Sequence, residues 1–143
     1  MKLRPEITNE ALDVRARIGL PAHLGIQVVC VAQGEAVLQL PIRAELLAPN
    51  GFLHAATVVG LADTACGFAC MAHLPDGAEN FTTVELKTNF LGTTLEGTLQ
   101  AVARAAHLGR TTQVWDADVT EIGSGRKLAL FRCTQLVLYP KQR

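Results

Sequence analysis

The sequence predicts an α+β fold in which a curved, antiparallel sheet of six strands wraps around one long helix. Two strand-like segments come first, a long and nearly uncharged helical segment follows, and four strand-like segments complete the chain. The long helix is apolar almost all round, so it needs cover on every side. A curved sheet covers one face, which leaves the other face for a partner subunit.

The chain opens with a helical preface over residues 1–20. Residues 5–18 are predicted to form a short amphipathic helix, because four apolar residues recur at helical spacing on one face. These residues are Ile7, Ala11, Val14 and Ile18. A break at 21–25 follows, and then two strand-like segments, 26–31 and 36–40, are joined as a hairpin by a short connection that contains glycine.

A loop over residues 41–51, with a Pro-Asn-Gly turn signal at its end, leads into the long helix. This helix is predicted to end at about His73, where a Leu-Pro-Asp-Gly run stops it. Glycine-containing turns then separate four β-rich segments, which are 81–90, 94–106, 111–121 and 127–138. Because no repeat or linker interrupts the chain, residues 1–143 are predicted to form a single domain.

The charge balance argues against two classes of partner. Thirteen basic residues cancel thirteen acidic ones, so the sequence has no electrostatic footprint for nucleic acid or for an anionic membrane surface. Residues 52–74 are long enough to span a bilayer, but they include Asp63, and a carboxylate at mid-membrane is costly. A buried helix in a soluble protein is therefore predicted, with neither nucleic acid nor membrane as a partner.

The four cysteines form no Cys-x-x-Cys pair, which predicts free thiols in a reducing cytoplasm. Cys66, Cys70 and His73 would share one helix face and so raise the question of a metal site. Ligands strung along one straight helix over roughly 10 Å cannot converge on one tetrahedral ion. We therefore predict no metal.

Asp63 is the one acidic residue in the long helix, and its neighbours are apolar. A carboxylate in such surroundings is costly unless it is paired, hydrated or protonated. One interpretation is a hydrogen-bonded structural residue at the edge of the sheet. The other is a general base or nucleophile poised for chemistry.

The start of the helix supplies a second candidate feature. The first backbone N–H groups of a helix have no internal partners and lie at the positive end of its dipole, where they can hold a developing oxyanion. Asn50 either caps the helix or donates its amide to a substrate carbonyl. His54, taken alone, is more often a structural or capping histidine than a catalytic one.

Helix geometry separates these two features within one chain. His54 and Asp63 are nine positions apart, which is roughly 13 Å along the axis and about half a turn around it. If both serve one reaction, the helix start of one subunit must meet the helix middle of another. The hypothesis therefore requires a dimer with two equivalent sites across a two-fold axis.

The motif at residues 50–56, Asn-Gly-Phe-Leu-His-Ala-Ala, followed by Leu-Ala-Asp-Thr-Ala at 61–65, resembles the hot-dog thioesterases of the phenylacetate-pathway and 4-hydroxybenzoyl-CoA type. The helix of that family begins with Gly-x-x-His-Gly-Gly and carries an Asp or Glu nine residues after the His. The strand after the helix, 84–91, and the Gly-Arg turn at 109–110 are also similar. The resemblance runs from about His23 to Tyr139.

The resemblance implies roles for the site residues. Asp63 would attack the thioester or activate water, and the Ala55 N–H of the opposing subunit would polarise the thioester carbonyl. Gly51 and His54 would shape the turn. The chain departs from the family in replacing Gly-Gly by Ala55-Ala56, which keeps the donor but narrows the approach of the acyl chain. Some relatives carry an amide side chain six residues before the His. In this chain that position is Ala48, and whether Asn50 takes the place of the amide is open.

The function implied is an acyl-CoA thioesterase, cytoplasmic, with no cofactor beyond the CoA of its substrate. It would act as a homodimer and assemble further as a dimer of dimers. Two alternatives stay open: a non-catalytic acyl-CoA-binding protein, and a hydratase or dehydratase of acyl thioesters on the same fold. The substrate-binding residues predicted are Thr64, Gly67, Lys87, Asn89, Arg104, Arg110 and Arg126.

Overall fold

The computed structural model describes residues 1–141. Its strands are β1 Gln27–Ala32, β2 Glu35–Pro41, β3 Asn80–Phe90, β4 Thr98–Leu108, β5 Thr112–Glu121 and β6 Arg126–Leu138. Its helices are α1 Asn9–Ala16, α2 Gly19–Leu24 and α3 Ala55–Ala72, with a 3-10 turn at Ala44–Leu46. The strands form an antiparallel sheet in the order β1-β2-β4-β5-β6-β3. The predicted fold class is therefore confirmed.

α3 packs against one face of the sheet, which we call the inner face, and touches β2 to β6. The alternation along β5 is strict, and its inward residues are buried, among them Trp115, Ala117 and Val119. Eleven of the 18 residues of α3 are buried, so this helix is the centre of the core although it is long and apolar enough to cross a bilayer. Each large apolar side chain buried in this way contributes about 1.5–3 kcal/mol.

Two short helices replace the single helix predicted over residues 5–18. α1 begins after Thr8, whose hydroxyl accepts a hydrogen bond from the Ala11 N–H at 3.2 Å. Gly19, with a φ of 65°, breaks the helical path and starts α2 in a new direction. Residues 21–24, within the predicted break, are therefore helical, and Gly25, with a φ of 77°, ends α2.

The apolar face predicted for the N-terminal helix was wrong. Val14 and Ile18 are 61% and 68% exposed, whereas Leu12 and Ala16 are buried. The reason is the length of α1: Ile7 precedes it and Ile18 follows it, so the predicted stripe does not exist as one helix face. Leu12 and Ala16, four residues apart, form the face that is buried.

β4 begins at Thr98, four residues later than predicted. The Thr94 hydroxyl donates to the Glu96 carbonyl at 3.0 Å, and Gly97 has a φ of 94°. These features hold the segment before β4 as a turn, because a side chain satisfies the backbone locally and only glycine adopts that φ without strain. A Cβ on Gly97 would also come within 2.6 Å of the Glu121 carboxylate.

Glu121 is buried at the end of β5 and stabilises the turn into β6. Its carboxylate accepts from the Ser124 hydroxyl at 2.7 Å, from the Gly123 N–H at 2.7 Å and from the Ser124 N–H at 2.8 Å. These donors lower the pKa of Glu121 from 4.5 to about 2.

The depressed pKa of Glu121 makes its contribution to stability dependent on pH. That contribution is full above pH 4.5, the ordinary value, and is lost as the pH falls towards about 2. We expect Glu121→Gln to have a lower Tm at pH 7, with a difference from wild type that narrows between pH 4.5 and 2. Thermal melts across this range test it against Glu79→Gln, since Glu79 is exposed and its carboxylate has no bond among the described residues. A Tm difference between Glu121→Gln and wild type that stays constant down to pH 2 would exclude this role of the Glu121 carboxylate.

His73 caps the C-terminal end of α3 and is fully buried. Its Nε2 accepts from the Gly34 N–H at 2.9 Å, and its Nδ1 lies 2.8 Å from the Ala69 carbonyl. Burial lowers the pKa of this imidazole, which fits a neutral ring with one donor and one acceptor nitrogen. The predicted end of the long helix at about His73 is confirmed, and both ring nitrogens serve the fold.

Candidate active site

The turn before α3 is built around Gly51. The Ala48 N–H donates to the Phe52 carbonyl at 2.7 Å and the Gly51 N–H donates to the Ala48 carbonyl at 2.9 Å. Gly51 has a φ of 84°, which explains the glycine in the motif. The Asn50 side chain accepts from the Phe52 N–H at 3.3 Å and so belongs to this turn. Of the two interpretations of Asn50, the helix cap is therefore excluded, because the turn places this residue too early in the chain.

His54 is the residue that caps α3. Its Nδ1 accepts from the Ala56 N–H at 3.0 Å, which assigns the ring proton to Nε2 when the imidazole is neutral. Its carbonyl accepts from the Thr57 N–H at 3.0 Å. Two of the first N–H groups of the helix are thereby satisfied by His54.

The Ala55 N–H is left free by this cap. Within residues 1–141 it donates to no other group, and Ala55 is exposed. It lies at the positive end of the helix dipole, where a donor without a partner favours negative charge. The structure therefore offers a free backbone donor at the position predicted for the oxyanion.

Asp63 lies two turns further along α3 and is half-buried. Its Oδ1 is buried and has no hydrogen-bond partner in the part of the chain that the structure describes. Burial raises the pKa of Asp63, and the nearby Thr83 hydroxyl partly opposes that shift. A carboxylate that lacks donors is more basic and more nucleophilic than a solvated one, so its chemistry matches either predicted role.

One chain does not bring these two features together. α3 is continuous from Ala55 to Ala72, and Ala55 and Asp63 are separated by about 12 Å along its axis. The dimer required by the hypothesis stays a prediction.

β3 is an edge strand of the sheet and carries exposed apolar residues. Val84, Leu86 and Phe90 are 57%, 44% and 49% exposed. Large apolar side chains on an open strand edge favour pairing with another chain. Thr88, on the same strand, has a buried hydroxyl without a partner in residues 1–141. This strand therefore presents both apolar surface and an unsatisfied polar atom next to the helix.

Two of the predicted substrate-binding residues lie on α3 near Asp63. The Thr64 hydroxyl donates to the Gly60 carbonyl at 2.6 Å, so its own helix occupies it. Gly67 is buried beneath Phe81, and a Cβ there would lie 3.3 Å from the Phe81 ring. Gly67 thereby allows β3 to approach α3 closely.

Three others lie on the outer face of the sheet, opposite to α3. Lys87 pairs in register with Arg132 of β6, and Asn89 lies two residues along the same face. A cavity of about 360 Å³ includes Lys87, Asn89 and Arg132 in its lining. Arg104 is bound to Glu35 at 3.2 Å on this outer face. The charge of Arg104 is therefore already compensated within the chain.

The last two lie at opposite ends of the sheet. The Arg110 carbonyl accepts from the Tyr139 hydroxyl at 2.7 Å in the turn between β4 and β5. Arg126 donates to the Thr93 carbonyl, and the Thr93 hydroxyl accepts from the Leu53 N–H at 3.3 Å, just before α3. Arg126 is thus close to the free N–H end of the helix, and Arg110 is not.

Thr83 lies near Asp63, and Gln135 lies behind Thr83, but no sequence pattern singled out either residue. The Thr83 hydroxyl donates to Gln135 Oε1 at 2.9 Å, and the two residues are paired in register on β3 and β6. Alternation along residues 81–90 could have placed Thr83 on the inner face. Its meeting with Asp63 depends on how the strand packs against the helix, which no local pattern encodes.

The comparisons with known proteins agree with this architecture. Over 118 residues the chain is 34% identical to a 1,4-dihydroxy-2-naphthoyl-CoA hydrolase of Listeria monocytogenes, covering 82% of this chain and 94% of that protein. It is 30% identical over 110 residues to the acyl-coenzyme A thioesterase PaaI of Escherichia coli, covering 76% and 75%. A mutant of thioesterase PA1618 of Pseudomonas aeruginosa superposes with a TM-score of 0.89 at 28% identity, covering 96% and 99%.

The sheet wrapped around α3 is the hot-dog fold. A sequence profile of the thioesterase superfamily matches residues 50–126, and the chain belongs to that superfamily. The predictions of a hot-dog thioesterase and of a thioester hydrolase are therefore confirmed.

Proposed function

We propose that this protein hydrolyses acyl-CoA thioesters with Asp63 as the reacting carboxylate and the Ala55 N–H as the oxyanion donor. The observation that carries the proposal is the buried, unpartnered Oδ1 of Asp63 in a helix whose first N–H is also free. Both groups lack partners within residues 1–141, and a thioester supplies what each lacks. The carbonyl carbon is the electrophile for the carboxylate, and the carbonyl oxygen accepts from the N–H.

Two mechanisms use these groups. As a nucleophile, Asp63 adds to the thioester carbonyl, the C–S bond breaks, and CoA leaves as its thiol after protonation; water then hydrolyses the acyl anhydride and restores the carboxylate. As a general base, Asp63 takes a proton from water, whose oxygen adds to the carbonyl and displaces the thiol. The groups present support both routes, and neither route needs a metal or a redox cofactor.

The proposal includes a homodimer that pairs through β3. The free edge of this strand carries Val84, Leu86 and Phe90, and a second copy across a two-fold axis would cover them. Such an axis sets the Ala55 end of one helix against the Asp63 region of the other. A dimer of dimers would then use a different surface of each subunit.

The CoA moiety carries phosphates, and the proposal assigns them to arginines near the helix start. Arg126 is the best placed, because it binds the Thr93 carbonyl beside Leu53. Arg110 of the other protomer is a second candidate, since antiparallel pairing brings opposite ends of two sheets together. We also propose a cytoplasmic location, which suits the free thiols of all four cysteines.

Thiol release from a panel of CoA esters tests the proposed activity. The panel spans short, medium, long and aryl acyl groups, including a naphthoyl ester because one relative is named for such a substrate. We expect saturable release from at least one ester. No release from any ester, together with tight binding of one by calorimetry, would favour the non-catalytic binding alternative.

Crotonyl-CoA hydration tests the hydratase alternative. That chemistry needs a His and an acid close together at the acyl chain, and here the His54 ring caps a helix about 13 Å from Asp63. We expect no loss of the enoyl absorbance, with thiol release measured in the same samples as the control. Hydration without thiol release would replace the hydrolase proposal.

A further inference from the structure

A line of polar side chains leads from Asp63 into the core. Thr83 is half-buried on β3, and Gln135 is fully buried on β6 next to it. The Thr83 hydroxyl donates to Gln135 Oε1 at 2.9 Å, and Gln135 Nε2 donates to Cys133 Sγ at 3.3 Å. The sulfur contact orients the amide so that its carbonyl faces Thr83.

The Thr83 hydroxyl has one proton and two acceptors within reach. One acceptor is Gln135 Oε1, to which the hydroxyl donates in this structure. The other is the Asp63 carboxylate, which lies nearby because Phe81, two residues before Thr83, packs on Gly67, one turn after Asp63. A hydroxyl can donate to only one of them at a time. When it donates to Gln135, Asp63 loses its donor, which agrees with the buried Oδ1 that has no partner among the described residues.

We propose that Thr83 and Gln135 are positioning residues for Asp63, with the buried amide of Gln135 holding the Thr83 proton away from the carboxylate. This inference rests on the proposed function. A carboxylate deprived of this donor stays basic and nucleophilic, because no hydrogen bond stabilises its charged form. Gln135 acts only through Thr83 and does not touch the substrate.

The other titratable groups around Asp63 do not supply this effect. Cys66 on α3 and Cys133 on β6 are the neighbouring thiols, and the proximity of Cys133 together with burial raises the pKa of Cys66 well above its ordinary value. On β3, Glu85 is exposed on the outer face. Among the charged residues on the other packed elements, Glu121 of β5 is bound to its own turn, and His23 of α2 is exposed.

A double-mutant cycle tests the proposal through the pH profile of kcat/KM. Gln135→Met removes the competing acceptor, so Thr83 donates to Asp63 and the acidic limb should move to lower pH by about one unit. In a Thr83→Val background, Gln135→Met should not move the acidic limb, because there is no hydroxyl proton to redirect. Thr83→Ser keeps the hydroxyl and should restore the shift. Thr82→Val is the matched control, since Thr82 is the exposed neighbour on the opposite face of β3.

A second measurement is independent of turnover. The side-chain ¹³C resonance of Asp63, assigned by its loss in Asp63→Asn, should titrate at lower pH in Gln135→Met than in wild type, with Gln135→Leu as a second variant. A shift of equal size with and without Thr83, or no shift in either variant, overturns the proposal. If the Asp63 resonance shifts in the variants as expected but the protein hydrolyses no CoA ester, the proposed function fails while the positioning role of Thr83 and Gln135 stands.

Discussion

Replacing Asp63 with asparagine should reduce thioester turnover by about 10²- to 10⁴-fold, the range for loss of a positioned base, and leave the fold intact. The amide has nearly the same shape but neither attacks a thioester nor takes a proton from water. The measurement is kcat/KM for the best ester in the panel, with circular dichroism and sedimentation as checks on structure. Asp76→Asn is the matched control, because Asp76 lies in an exposed loop and its carboxylate is unbonded among the described residues. Turnover within tenfold of wild type would contradict the role of Asp63.

The same variant should be more stable than wild type at neutral pH. Burial raises the folded-state pKa of Asp63 above its ordinary value of 3.8, so the unfolded chain gives up this proton more easily than the folded one. Ionised Asp63 therefore costs stability above pH 3.8, and the neutral amide does not. We expect a higher Tm for Asp63→Asn at pH 7 and no difference below pH 3.8. A lower Tm at pH 7 would indicate that Asp63 is a structural residue.

Ala55→Pro should remove the proposed oxyanion donor without harming the helix. Ala55 is the first residue of α3, where proline is well tolerated, and the Ala55 N–H makes no hydrogen bond within residues 1–141. His54 has φ −66° and ψ 131°, the extended conformation that a residue before proline requires. We expect an unchanged or higher Tm and a loss of about 100-fold or more in kcat. Activity near that of wild type would exclude this N–H as the donor.

Mixing the two inactive variants should restore activity. If each site combines Asp63 of one protomer with the Ala55 N–H of the other, a mixed dimer holds one intact site and one doubly disabled site. Equal amounts after subunit exchange give half mixed dimers, and thus about a quarter of wild-type activity. Each variant carried alone through the same exchange procedure is the control. No recovery, after exchange has been confirmed by mass-tagged subunits, would place the reaction within one chain.

The fold was accessible from the sequence because its strongest signals are local. Glycine-containing turns and β-rich segments gave the strands to within a few residues, and the apolar run around Asp63 gave the helix. The prediction failed where propensity was weak: α1 is eight residues long, and its buried face follows from contacts with β1. A stripe of four apolar residues could not reveal that the helix ends before Ile18.

The candidate site was only partly accessible. Asp63 and the turn at Gly51 could be predicted, since a lone acid in an apolar helix and a glycine in a tight turn are recognisable from the sequence alone. The residue that caps α3 could not be predicted, because Asn50 and His54 can both cap a helix and the backbone path decides between them. Thr83 and Gln135 are distant in sequence from Asp63, so only the packing of β3 on α3 brings them together.

The exposed apolar edge of β3 would connect the proposed activity of this protein with its solubility. A strand edge with exposed apolar residues is a template for uncontrolled pairing, and one copy placed along it removes that hazard. If the proposed dimer forms, a subunit released by dilution would expose this apolar edge and would lose half of its active site at the same time. Substitutions along residues 84–90 would then be selected by two pressures at once, and dissociated subunits should tend to precipitate.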